Sequence, residues 1–260
     1  MRPITLLLGF AATVTSCTHV YYAPNTANAP LLSEKGETRI NGLISGGGES
    51  EFSGGELQAA HAITNSFGIM ANWIAASKSE EISSFDWIRP GPVHTEKGKG
   101  SYVEFAGGYF KTLDKRKRIV FETYGGIGFG GVNNDYGFGN VSKVNITKLF
   151  LQPSLGYKSN YFEVAFVPKI SFVNWTVKEN SLSASANSYD KQALATIESK
   201  PHFVAIEPAL LLRGGFKNVK LQGSLSFSNV SSDPNHQVGD LIEGLNMSFG
   251  ISVNFKAVTK

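Results

Sequence analysis

The 260-residue chain holds no apolar run of the roughly 18 residues that a membrane-spanning helix needs. Charge is also scarce. Asp, Glu, Lys and Arg make up 17% of the residues, against about a quarter in an ordinary soluble domain. The formal net charge of +3 is too small to hold nucleic acid, so no nucleic-acid partner is expected. A single cysteine, Cys17, excludes an internal disulfide. No cluster of residues has metal-ligand spacing, and no cofactor is expected. Helical periodicity is almost missing, and only "YDKQALATIES", Tyr189–Ser199, reads as a short helix.

What the chain does have is glycine, aromatics and strict alternation. "NMSFGISVNF", Asn246–Phe255, puts Met247, Phe249, Ile251, Val253 and Phe255 on one side of a strand and small or polar residues on the other. Comparable stretches recur at Thr38–Ser45, Glu56–Thr64, Phe67–Ser77, Ser101–Lys111, Arg118–Phe129, Val144–Lys158, Tyr161–Trp175, His202–Arg213 and Val219–Ser228. The connections alternate long and short along the chain. Asn65-Ser66, "TLDKRK", Ser159-Asn160 and "GGFKN" are the short ones, and "GGGESEFSGG" and "GGVNNDYGFGNVSK" are among the long. A soluble sandwich has no reason to sort loops by parity, whereas a membrane barrel does. The expected fold is therefore all-β: a closed antiparallel up-and-down transmembrane β-barrel of about ten strands, with eight or twelve as alternatives.

The side opposite the apolar one carries charges of both signs. Arg39, Glu104, Glu122, Lys148, Glu163, Lys169, Glu207, Arg213 and Lys220 are expected to face inward. So many charges would be prohibitive in a sandwich core, but in a polar lumen they can pair with one another. A barrel of this size is narrow, and the network is expected to fill it more than to line a pore. Tyr21, Tyr22, Trp73, Tyr109, Tyr157, Tyr161, Phe162 and Trp175 lie near expected strand ends and are candidates for interfacial girdles.

The first residues, "MRPITLLLGFAATVTSC", combine Arg2, a short apolar core and small residues, the pattern of a signal peptide. Val14-Thr15-Ser16-Cys17 resembles a bacterial lipobox, which makes Cys17 the candidate lipidation site. The expected organisation is a signal peptide over 1–16, a lipidated, extended linker over 17–37 and a barrel over 38–256. With an even strand count both ends of the barrel fall on the short-turn side. The expected location is the cell outer membrane, with the lipid anchor on the periplasmic side.

The stretches "YYAPNTANAPLLSEKGE", "ELQAAHAITNSFGIMANW" and "LFLQPSLGYKSNYFEVAF" resemble small outer-membrane β-barrel lipoproteins of Gram-negative bacteria, of a Bacteroidota kind with no assigned reaction. That resemblance implies a C-terminal assembly signal, which Ser248, Gly250, Val253 and Phe255 match, although five residues follow Phe255. The implied partners are outer-membrane lipid, the barrel assembly machinery and another outer-membrane protein.

Other motifs have plainer explanations. "GGIGFGG", Gly125–Gly131, looks like a nucleotide fingerprint but has no helix after it, so strand curvature explains it. "KRKR", Lys115–Arg118, falls in a short turn and reads as a solvated or head-group contact. Pro153, Pro168 and Pro208 fall within expected strands, and a bulge shared by Pro153 and Pro168 is the expected remedy. Asp86, His94, Asp233, His236 and Asp240 sit in long loops without the paired arrangement a rim protease needs, and His61 has no partner set for lipid modification. No catalytic residue is assigned. The expected role is structural or interactive, with a narrow solute channel as the alternative and an outer-membrane hydrolase as a second.

Overall fold

A computed structural model describes residues 20–47, 52–82, 94–184, 186–231 and 237–256. In chain order the strands are β1 (Glu37–Gly47), β2 (Ser53–Ala62), β3 (Phe67–Ile82), β4 (His94–Thr112), β5 (Ile119–Asp135), β6 (Val141–Lys158), β7 (Phe162–Asn180), β8 (His202–Gly215), β9 (Val219–Phe227), β10 (Asn229–Val230) and β11 (Leu245–Lys256). One helix, α1 (Ser188–Ser199), lies between β7 and β8. Each strand pairs antiparallel with its neighbours, and β11 closes the ring by pairing with both β9 and β1, the latter from Glu37↔Lys256 to Gly47↔Asn246. The result is a closed barrel of ten strands. Among the described residues, only the two-residue β10, paired to β8, stands outside the ring.

Alternation decides which way each residue faces. On β6, Leu149, Leu151 and Leu155 are half exposed on the outside, while Lys148, Phe150, Gln152 and Ser154 are buried inside. The same rule puts Ile40, Phe105, Phe129, Phe166, Phe172, Leu212 and Phe249 on the outer surface. A belt this apolar around a closed sheet belongs against hydrocarbon, where backbone groups have no other partners than the ring itself. Tyr109, Tyr157, Tyr161 and Phe162 lie on the outer surface toward the short turns. Tyr21, Tyr22 and Trp175 do not belong to a girdle: at 0%, 3% and 2% exposed they are inside the barrel mouth.

Several strands run past their expected ends on the long-loop side. The β5–β6 hairpin continues from Lys97↔Asp135 and Asp135↔Val141, leaving only residues 136–140 as its turn. Beyond the membrane a hairpin has no need of an apolar face, so the alternation fades while the backbone ladder continues.

The three prolines line up. Pro168 pairs with Pro208, and the β6–β7 ladder skips from Leu151↔Ile170 to Leu155↔Phe166, leaving Pro153 opposite Pro168. The register is the same above and below, so the expected shared bulge is absent. The ladder gives up hydrogen bonds where neither residue has an N–H. Pro208 faces the point where β9 stops: the register from Ala209↔Ser226 to Ile206↔Asn229 is unbroken, yet the strand pauses after Phe227. A missing donor at Pro208 accounts for the separation of β9 from β10.

The largest departure from expectation is at the amino end. Residues 21–32, read as part of an external linker, run through the lumen with nearly every residue buried. At the long-loop end, Tyr21 N–H donates to the Leu241 carbonyl (2.9 Å) and Glu243 N–H to the Tyr22 carbonyl (2.8 Å). At the short-turn end, Gly36 N–H donates to the Ala62 carbonyl (2.9 Å). Val20 therefore sits at the long-loop mouth and Lys256 at the opposite one. The ends of the described chain do not share the short-turn side.

Candidate functional site in the barrel lumen

Strand alternation supplies the lumen with polar side chains, and the threaded segment supplies a second backbone inside it. The two meet in tiers. Nearest the long-loop end, Tyr22 Oη donates to Glu207 (2.5 Å) and accepts from Lys148 Nζ (3.0 Å), while Ser171 Oγ also donates to Glu207. Below it, Glu104 receives Lys148 (2.6 Å), Lys169 (2.9 Å), and the side-chain amides of Asn25 and Asn72 (2.9 Å each). Glu56 accepts from the Thr26 backbone N–H (3.1 Å) and hydroxyl (2.9 Å).

In the next tier Glu163 gathers three cations: Arg39 in a two-pronged contact, Arg213 (3.0 Å) and Lys220 (3.2 Å). Arg213 also donates to the Ala29 carbonyl (2.9 Å). Among the described residues, no lysine or arginine is bonded to Glu122. The backbone N–H groups of Leu31 (3.0 Å) and Leu32 (2.8 Å) point at it instead. At the foot, Lys158 bridges the Leu31 carbonyl (2.7 Å) and Glu37 (2.9 Å). Apolar residues fill the gaps. Ala27, Ala29 and Leu31 pack on Val120, Val167 and Leu211, and Leu32 packs on Ala62 and Phe110.

All nine residues expected to face the lumen lie there, each at most 4% exposed. Buried charge is tolerable only when it is paired or hydrogen-bonded: seven of these groups form ion pairs, Glu207 takes the Tyr22 and Ser171 hydroxyls, and Glu122 takes backbone N–H groups. Sequence reading missed Glu56 and the role of residues 20–33. A signal was available: from Thr18 to Ser33 the chain carries no Asp, Glu, Lys or Arg, an unusual stretch for a solvated linker. Such a stretch suits a wall whose carboxylates need neutral donors.

The long-loop mouth is capped as well as threaded. Tyr21, Tyr22, Trp175 and Phe203 pack with Leu194 and Ile197 of α1 and with Leu241 and Ile242. The ring planes of Trp175 and Phe203 are 4.6 Å apart at their centres. The Tyr21 and Tyr136 hydroxyls meet at 2.5 Å.

The other sites named from sequence are placed as follows. Ser248, Gly250, Val253 and Phe255 lie on β11, Ser248 and Gly250 toward the lumen and Phe255 outward. A Cβ on Gly250 would lie 2.1 Å from the Gly42 carbonyl oxygen, so glycine is needed there for β1 to pair closely. Cys17, Asp86, Asp233 and His236 lie outside the described residues, and the side chain of His94 does too. Asp240 lies in a 3₁₀ turn, Gly239–Leu241. His61 bonds to Thr38 Oγ1 (2.8 Å) on the wall near the short turns.

At the foot of the segment, Glu34 accepts from Lys256 and Lys117 (2.9 Å each), and these hydrogen bonds hold its carboxyl down to about 2. A folded value below the unfolded one means that the gain is complete above about 4.5 and is lost as pH falls toward 2. The partners are half exposed, so the tie contributes under about 1 kcal/mol. Proteolysis at residues 33–36 should accelerate severalfold between pH 4.5 and 2.5, and Lys117→Gln/Lys256→Gln should remove that pH dependence. An unchanged profile in the double variant would count against the tie.

No protein-family model matches the chain, and neither does any curated protein. Solved structures similar to it include the translocator domain of the autotransporter NalP from Neisseria meningitidis, with 9% identity over 85% of this chain and 88% of that one, at a TM-score of 0.39. The KdgM porin is similar at 13% identity over 84% of this chain and 99% of that one, with a TM-score of 0.31.

Proposed function

We propose that this protein is a non-catalytic outer-membrane β-barrel lipoprotein of a Gram-negative cell envelope, with a structural or interaction role carried by its long-loop face. The occupied lumen carries this reading: a barrel filled by its own chain and capped by an aromatic cluster offers its surface, not a passage. Exposed connecting segments on a rigid scaffold are where binding normally resides. The apolar belt supports membrane residence, and a closed barrel of this kind suits the outer membrane.

The lipid is proposed on Cys17. Two residues, Thr18 and His19, separate it from Val20, a reach of at most about 10 Å in extended chain. Because Val20 stands at the long-loop mouth, an anchor there belongs to that end and not to the short-turn, periplasmic one. Palmitate labelling of wild type and Cys17→Ala tests the anchor, and protease shaving of intact cells tests its side. Label in wild type alone, on a surface-accessible amino end, is the expected result. Equal labelling of both proteins would refute the anchor.

The channel reading survives in one form. The segment is held by hydrogen bonds to a polar wall, and on this reading the wall is that of a pore and the segment its plug. Wild-type protein should then be silent in planar bilayers.

A further inference from the structure

Beside the foot of the lumen segment, the short-turn end opens into a pit of about 600 Å³. Its three lining carboxylates are already engaged: Glu34 with Lys117 and Lys256, Glu37 with Lys158, and Glu163 with Lys220. Three more lining cations, Arg116, Arg118 and Lys217, have no acidic partner among the described residues. Arg116 and Arg118 sit on the β4–β5 turn and Lys217 on the β8–β9 turn.

The arginine turn is also fixed in place. Asp114 accepts from the backbone N–H groups of Arg116 (3.1 Å), Arg118 (2.6 Å) and Ile119 (2.7 Å). The Ile119 N–H, first of these, keeps the Asp114 carboxyl below the usual carboxylate range, so it stays ionised and keeps its grip on the turn. A concavity with an excess of positive charge focuses potential, and two guanidinium forks match the paired oxygens of phosphate or carboxylate.

We propose that this pit binds a small polyvalent oxyanion, a solute bearing two or more phosphate or carboxylate groups. The pit opens along the barrel axis. The ring of turns, with Phe162 and Tyr109 on its outer side, stands between it and the bilayer, which favours a dissolved anion over a lipid head group. Anion binding here does not depend on which compartment the pit faces, so a failure to bind would leave the membrane assignment intact.

The test is calorimetric titration of inorganic pyrophosphate into the full-length protein in uncharged detergent, and then in nanodiscs with and without phosphatidylglycerol. Saturable binding at one site per chain is expected, weakened at least tenfold by Arg116→Gln/Arg118→Gln/Lys217→Gln and by high salt, and insensitive to the lipid. Retained heat-modifiable gel migration would show that the variant is folded, and Lys217→Gln alone supplies a milder change if it is not. Absence of saturable binding, or equal binding by wild type and triple variant, would overturn the proposal. Competition by phosphatidylglycerol would move the site to the head groups and equally overturn it.

Discussion

Deleting residues 21–32 should convert a silent barrel into a conducting one. The segment supplies the backbone donors on Glu56 and Glu122, the acceptor for Arg213 and one amide on Glu104. Without it these side chains still face a cavity lined by polar groups, and water can satisfy them. The aromatic cap loses Tyr21 and Tyr22 from its centre. Stepwise current in planar bilayers is expected from the deletion variant and none from wild type. A deletion variant that keeps heat-modifiable migration yet carries no current would show that the wall closes by itself. A steady wild-type current would show that the segment is no plug.

Replacing Glu163 should do the most damage to stability. This carboxylate is 2% exposed and is the common partner of Arg39, Arg213 and Lys220. Glu163→Gln keeps its shape but leaves three buried cations without their anion. Breaking one buried pair typically costs about 3–5 kcal/mol, because the remaining charge stays desolvated. A loss of that size should appear in urea unfolding from lipid bilayers. Glu34→Gln also removes two ion pairs, but at an exposed position, and should cost under about 1 kcal/mol. Adding Lys220→Gln to Glu163→Gln should recover part of the loss, since the two residues are coupled. A small effect of Glu163→Gln, similar to that of Glu34→Gln, would mean that water already reaches this tier.

Period-two alternation made the strands and their faces legible, because one face must meet lipid along the whole membrane-crossing length of each strand. Val219–Phe227 and Leu245–Lys256 lie within a residue or two of where alternation puts them. The same alternation marks Lys148 and Glu163 as inward residues before any partner is known. It fails where lipid no longer constrains the chain, as at Lys97–Gly100 and Asn133–Asp135, which pair as strand without an apolar face.

Residues 20–33 are harder to read for a different reason, and only their lack of charge hints at burial. Asn, Ala, Pro and Thr are what an extended linker contains, and burial here comes from the wall's carboxylates and not from any periodicity in the segment. The prolines also misled. A proline in a central strand argues for a bulge, but Pro153, Pro168 and Pro208 side by side share their missing donors across neighbouring strands, so no register shift is needed.

Hydrogen exchange of the peptide spanning residues 21–32, on folded protein in detergent, reports whether the segment threads the lumen. The amides of Thr26, Leu31 and Leu32 donate to buried carboxylates and should exchange as slowly as those of the β6 core. Exchange of that peptide within seconds, while the strands stay protected, would put the segment outside the barrel and leave the lumen unplugged.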